Sequence, residues 1–261
     1  MNIRRDGPVA TLQLDRTDRL NAFGNQGTID LNTAADELAR DDDIRTVIIT
    51  GAGRAFSTGI DLKELAAGEI DMTYHHRWEG ALRKFELMNK VVISAINGYC
   101  IGGGLQLALA SDIRIAAQSA QFSLPAVKDG IIPGMGVWRL PRFIGMGRAK
   151  QLILSGESVD SQRAEAIGMV DHVVADADLM RHVQDTAERY SDMPWRSVLL
   201  SKQTTNRAFD LPFDSFLEEY FAAQNEAMQS PDHLAALAEY REEQSRKHSH
   251  GVDVMNGVDQ E

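Results

Sequence analysis

A single cysteine, Cys100, stands in 261 residues, so no internal disulfide can form. There is no apolar stretch of membrane length either. With 43% hydrophobic and 25% charged residues, the composition is that of one or two soluble globular units with a real core. A charged-then-apolar leader followed by a small-residue cleavage site is also missing, and a cytoplasmic location is expected. Positive charge is the remaining deficit: 27 Lys and Arg face 38 Asp and Glu, for a formal net charge of -11. That balance argues against nucleic acid or a membrane surface as a partner. An anionic small ligand stays compatible, because local arginines, lysines and helix N-termini bind one inside an acidic envelope.

Hydrophobic periodicity divides the chain into strands and helices. A strand pair is expected between Val9 and Leu14, a helix from Thr28 to Arg40, and a β-branched strand from Thr46 to Thr50 ending in Gly51-Ala52-Gly53. A charged helical stretch through His75, His76 and Glu86 leads to Val91-Val92-Ile93-Ser94-Ala95-Ile96, apolar enough to be covered on both faces. This alternation predicts an α/β core. From Gln151 the pattern turns helical, with Asp160 as an N-cap and Gly168 as a stop, and Leu179 to Lys247 reads as helices with mixed faces. Ser249 to Glu261 is polar and expected to be mobile, and no internal repeat stands out.

Most informative is Asn97-Gly98-Tyr99-Cys100-Ile101-Gly102-Gly103-Gly104-Leu105-Gln106, where three glycines lie between a strand and a helix. Bare backbone there approaches a ligand closely, with the free N–H groups of a helix N-terminus aimed at it. Such a site suits an oxygen gaining negative charge, for example a thioester carbonyl becoming an enolate. A plain tight strand-to-helix turn fits the same run equally well. The dinucleotide fingerprint does not, because the spacing differs from G-x-G-x-x-G and no acidic residue closes a matching second strand.

Together with Ala55-Phe56-Ser57-Thr58-Gly59-Ile60-Asp61-Leu62-Lys63-Glu64-Leu65, Ser111-Asp112-Ile113-Arg114-Ile115-Ala116 and Gly130-Ile131-Ile132-Pro133-Gly134, this run resembles the crotonase superfamily, the enoyl-CoA hydratase and isomerase group. The similarity extends from about Val9 to Ala175, with a looser match beyond. It implies an α/β fold, with a crotonase-like core of repeated β-β-α units over residues 1–195 that binds acyl-CoA. A helical oligomerisation region at 196–248 and the tail at 249–261 would follow. It further implies an acyl-CoA thioester as partner, no cofactor beyond its CoA moiety, and a homotrimer or dimer of trimers. The two oxyanion donors carry over to the backbone N–H groups of Ile60 and Gly103. Ser57, Ile60, Asp61, Leu62 and Lys63 would line the CoA path, with Ala126 and Trp138 toward the acyl group. One such donor contributes about 2.7–4 kcal/mol to the transition state.

Departures from the family pattern are equally specific. Its hydratases place one glutamate after the glycine run and a second further on, the pair activating a water. Here those positions hold Gln106 and Ala126, and neither titrates. A positioned acid or base contributes about 10²–10⁴-fold in rate. Isomerase, decarboxylase or hydrolase chemistry is therefore favoured over simple hydration, with Gln106 orienting a substrate group or a water. A further acidic position used by related isomerases and dehalogenases falls near Gly134, and Pro133 to Pro141 is one residue shorter than the usual loop. Leu20 stands where many members carry a basic residue for a CoA phosphate, with Arg19 as the neighbouring substitute.

Other groups are weighed as substitutes for the missing acids. Glu64 reads as a solvated helix face, Asp61 as a cap or brace, and Asp129 as pointing away through its period-two relation to Val127. His75 and His76 read as surface residues, His76 being the one placed to act as a base. Tyr99 and Cys100 read as packing, and Tyr220 and Phe221 as subunit packing or part of a neighbour's site. His248-Ser249-His250 lacks companions at metal-ligand spacing, so no metal is assigned. A non-catalytic acyl-CoA-binding protein is the alternative, since it needs the donors but no acid or base. A structural subunit of a fatty-acid assembly is a third reading.

Overall fold

A computed structural model describes residues 1–255, apart from the side chains of residue 243 and residues 245–255. The strands are β1 (Asn2–Asp6), β2 (Val9–Leu14), β3 (Thr46–Gly51), β4 (Ala55–Ser57), β5 (Val91–Ile96), β6 (Tyr99–Ile101), β7 (Ile113–Ala117), β8 (Gln121–Ser123), β9 (Val159–Asp160) and β10 (His172–Val174). The helices are α1 (Asn25–Arg40), α2 (Leu62–Ala66), α3 (Met72–Leu87), α4 (Gly103–Leu109), α5 (Gly136–Ile144), α6 (Met146–Ser155), α7 (Ser161–Ala166), α8 (Leu179–Ser191), α9 (Trp195–Arg207), α10 (Phe213–Gln229) and α11 (Pro231–Met255). Two sheets form, one of six strands in the order β1-β2-β3-β5-β7-β10 and one of four in the order β4-β6-β8-β9.

Every residue of β3 and β5 is buried, as continuous β-branched runs demand when both faces of a parallel sheet are covered. β1, largely exposed, is the antiparallel edge. The strand pair expected within Val9–Leu14 is thus a single strand whose partner lies upstream, reversed through Gly7 at a left-handed φ of 53°. Two short strands, β9 and β10, interrupt a stretch read as wholly helical. At two or three residues each they are too short to show a period of two.

Three interior strands of the large sheet, β3, β5 and β7, each run into a short strand of the small sheet and then into a helical segment. The unit recurs as β3-β4-α2, β5-β6-α4 and β7-β8 followed by a 3-10 turn at Pro125–Asp129. Sequence self-similarity misses it because burial and turn geometry repeat while residue identity does not. The orders β3-β5-β7 and β4-β6-β8 run in step, so equivalent loops of successive units lie side by side.

On one side, α1 buries Thr28, Leu31, Ala34, Ala35 and Leu38 and packs against α3, which buries Tyr74, Trp78, Ala81, Leu82 and Phe85. Both are helical stripes of the i, i+3, i+4 kind. α8 packs with β3 and β5, burying Leu179, Val183 and Ala187. Asp71 and Asp160 cap α3 and α7 through backbone N–H groups of the first turn, and Gly168, at φ 79°, follows the end of α7.

The chain divides after Ser191 into two compact units. In the second, α9, α10 and α11 contact one another, with Leu199 and Leu200 buried and an ion pair joining Arg196 to Glu226. Phe209, Phe213, Tyr220, Phe221, Leu234 and Tyr240 are exposed on it. The backbone of residues 249–255 closes α11, whereas residues 256–261 of the expected tail, and the side chains of His248, Ser249 and His250, lie outside the described residues. Among the described residues no helix is long and apolar enough to cross a membrane.

Candidate active site

Two glycine loops from successive β-β-α units meet in backbone contact. A Cβ added to Gly59, itself at φ 84°, would stand 2.4 Å from the Gly103 nitrogen, and one added to Gly103 would stand 3.1 Å from Gly59 Cα. A Cβ on Gly104 would stand 2.2 Å from the Ser57 carbonyl oxygen. Only hydrogen fits at Gly59 and Gly104, and a side chain at Gly103 would fit only if its neighbours gave way, which is the physical reason for glycine in both loops.

A short parallel bridge fixes the first loop. Phe23 N–H donates to Gly59 O at 2.7 Å, and Asp61 N–H donates to Phe23 O at 2.9 Å. In an extended segment neighbouring N–H groups alternate in direction, so the Ile60 N–H is turned away from Phe23. Gly103 opens α4, where a first-turn N–H has no helical acceptor. Among the described residues neither the Ile60 nor the Gly103 N–H donates a hydrogen bond. The expected pair of donors therefore sits on touching loops with both donors unspent.

Several side chains expected to face a ligand serve the scaffold instead. Ser57 is fully buried: its hydroxyl donates to Asn21 O at 2.8 Å and accepts from Gly59 N–H at 3.0 Å, bracing the loop from behind. Asp61 caps α2 through Lys63 N–H at 2.9 Å and pairs with Arg16 at 2.8 Å. Burial pushes its carboxyl up, but the Lys63 N–H and Arg16 outweigh that and hold it below the usual range. Leu62 and Lys63 are exposed beside it.

Glu64 is not a solvated face: it accepts from Asn25 N–H at 2.7 Å and so caps α1. A cleft of about 310 Å³ lies next to it, but Asp15, Asp30 and Glu64 on its wall give it the wrong charge for a phosphate. Arg19 is half-buried near Leu20, with Asp18 at 3.6 Å.

Beyond the donors, one contiguous cluster continues the site. Trp78 of α3 reaches Gly103: its Cζ2 would lie 3.0 Å from a Cβ there. Trp78 Nε1–H donates to Gln106 Oε1 at 3.4 Å. This bond orients the buried amide, with its Nε2 group on the other side. Among the described residues that Nε2 has no protein acceptor, yet no buried polar side-chain atom is left unsatisfied, so it faces open space. Gln106 is thus a fixed donor at the site.

The third unit brings Gly134, at φ 46°, against Gln106. A Cβ on it would lie 2.6 Å from Gln106 Oε1 and 3.2 Å from Glu79 Oε1. Glu79, on α3, was not singled out by sequence. Its Oε1 accepts from Met135 N–H at 3.2 Å, and its Oε2 pairs with Arg139 Nη1 at 2.8 Å. Arg139 is buried on α5 and also holds Glu86. Burial would lower this guanidinium, but Glu86 and Glu79 prevail and raise it. The only sequence signal for Glu79 was its position directly after the core-facing Trp78 on a helix bordering the site.

The other expected residues range from exposed to fully buried. Ala126 is half-buried in the 3-10 turn, and Trp138 is half-buried with the Arg142 guanidinium 3.3 Å above its ring. Asp129 is exposed, but from the 3-10 turn and not from alternation along a strand. His76 is exposed and His75 packs edge-on against Tyr74. Tyr99 is exposed, while Cys100 is sealed in the core, where burial pushes its thiol up.

Comparison with known proteins agrees with this architecture. The model of the enoyl-CoA hydratase/isomerase family matches residues 4–250. A short-chain-enoyl-CoA hydratase of Clostridium acetobutylicum is 34% identical over 247 residues, covering 92% of this chain and 94% of that protein. A 1,2-epoxyphenylacetyl-CoA isomerase of Escherichia coli is 34% identical over 239 residues, covering 89% and 91%. The crystal structure of an enoyl-CoA hydratase from Bacillus anthracis superimposes with a TM-score of 0.88 at 31% identity, covering 93% of this chain and 96% of that one. The chain belongs to the enoyl-CoA hydratase/isomerase family and is an acyl-CoA-processing enzyme of that kind.

Proposed function

We propose that the protein binds an acyl-CoA thioester with its carbonyl oxygen between the Ile60 and Gly103 N–H groups. The enolate formed there is spent on isomerase, decarboxylase or hydrolase chemistry in preference to adding water. The contact of the two loops, with both N–H groups unspent, carries this reading. Gln106 and Ala126 favour it over hydration, because neither gives or takes a proton near neutral pH. Leu62 and Lys63, exposed beside the first loop, are left to meet the CoA moiety.

The same two residues favour a second reading, a thioester-binding protein without turnover. Mixing the protein with enoyl-, dienoyl- and malonyl-type CoA thioesters separates the two, with binding read by calorimetry and products by mass spectrometry. A new mass from any thioester supports the enzyme. Tight binding without one leaves the carrier, and absence of binding overturns both.

For the second unit we propose assembly into a homotrimer or dimer of trimers, supported by the exposed aromatic residues Phe209, Phe213, Tyr220, Phe221 and Tyr240. Light scattering that returns a monomer overturns it.

A further inference from the structure

We infer that Glu79 is the acid–base of this site, the carboxylate that carries a proton from the carbon beside the thioester carbonyl to the carbon two bonds further along the acyl chain. The inference rests on the enolate reading above and names the group that completes it. Four observations converge on it. Glu79 enters from α3, one residue after the Trp78 ring that abuts Gly103 and orients Gln106. Its Oε1 faces the same point as Gln106 Oε1, the place that a Cβ on Gly134 would fill. Glycine at 134 is what lets both oxygens come this close, since a Cβ there would crowd them at 2.6 and 3.2 Å. The Glu79 side chain keeps 27% of its surface exposed, so a ligand can reach it.

Its partners hold it without using it up. Met135 N–H and Arg139 each take one oxygen, and a carboxylate has about four lone-pair sites. Arg139 divides its charge between Glu79 and Glu86, so Glu79 is pinned but not fully neutralised. Arg139 and Gln106 are positioning residues in this scheme.

The step balances without a co-reactant. The Glu79 carboxylate takes the α-hydrogen as a proton, and the C–H electron pair moves into the enolate, whose oxygen rests on the two backbone N–H groups. The β,γ double bond of the substrate extends the enolate into a dienolate. Its γ-carbon then takes the proton back from Glu79, the electron pair returns to leave an α,β double bond, and the carboxylate is restored. The substrate class is a 3-enoyl-CoA thioester and the product its 2-enoyl isomer.

The test follows a 3-enoyl-CoA thioester in D2O, with the conjugated product read by absorbance, deuterium uptake by mass spectrometry and thioester affinity by calorimetry. Glu79→Gln should lower turnover by about 10²–10⁴-fold with affinity unchanged. Glu79→Ala should regain part of its rate when small carboxylates are added, with the rescued rate rising with the basicity of the carboxylate, a dependence that refilling a purely structural tie to Arg139 would not produce. Melting curves of both variants establish that they fold. A folded Glu79→Gln protein that keeps the parent's rate and pH profile overturns the role of Glu79 and leaves the thioester reading standing. A wild-type protein that binds the thioester but neither isomerises it nor exchanges deuterium overturns the inference and leaves thioester binding standing, whereas absence of binding overturns the thioester reading itself.

Discussion

The half of the site proposed to hold the carbonyl and the half proposed to move the proton are built in opposite ways. Backbone makes the first: Gly59 and Gly103 touch, Phe23 bridges across Ile60, and Ser57 braces the turn from behind. Side chains from three elements make the second, with Glu79 on α3, Gln106 on α4 and Arg139 on α5. A main-chain site tolerates change in the residues that carry it but not in the glycines that let it close. A side-chain site can move its carboxylate to another helix while the space it serves stays in place.

The largest expected effect tests the proton half. Gln106→Glu together with Ala126→Glu should raise enoyl-CoA hydration by about 10²–10⁴-fold, read as loss of enoyl absorbance. A folded double variant no faster than the parent would break the assignment of those two positions. Next comes the clamp. Arg139→Leu should cost about 3 kcal/mol in chemical unfolding, the low end for breaking a buried pair, because Glu79 and Glu86 keep some contact with water.

Gly59→Ala sharpens the carbonyl half. Its methyl would meet the Gly103 nitrogen at a backbone angle that disfavours any side chain, so turnover should fall by about 10²–10³-fold. Steady-state kinetics at saturating thioester checks it, and a parent-like rate would mean that the loops need not touch.

The smallest effect concerns the first loop's edge. Asp61→Ala should cost about 1 kcal/mol at neutral pH, the usual loss for an N-cap. The folded carboxyl titrates below its unfolded value, so its stabilisation is complete above the unfolded value and drains away as pH falls through the folded one. Melting temperatures of parent and variant should therefore converge in acid.

This contrast also explains what could be read from sequence. The two glycine loops were legible because their glycines are local and their spacing survives without knowledge of packing, whereas the donor roles of Ile60 and Gly103 came from the family resemblance alone. The burial of β5 was legible from its local run of apolar residues. Glu79 was not, because its meaning depends on Gly134 and Gln106 arriving beside it from two other units, and a glutamate on a mixed helix looks like solvated surface. Glu64 misled in the same way, since a cap on α1 supplied from a different helix leaves no local trace. The β1–β2 hairpin was missed for a simpler reason: β1, at the edge, lacks the apolar alternation of a half-buried strand.

The sulfur of Cys100 lies at 0% exposure within the strand that leads to the glycine run. Any thioester cleaved nearby releases a free thiol, and a reachable cysteine would trap it as a mixed disulfide under oxidising stress. Sealed where it is, this one cannot be captured by the product, and alkylating reagents should leave the native enzyme untouched.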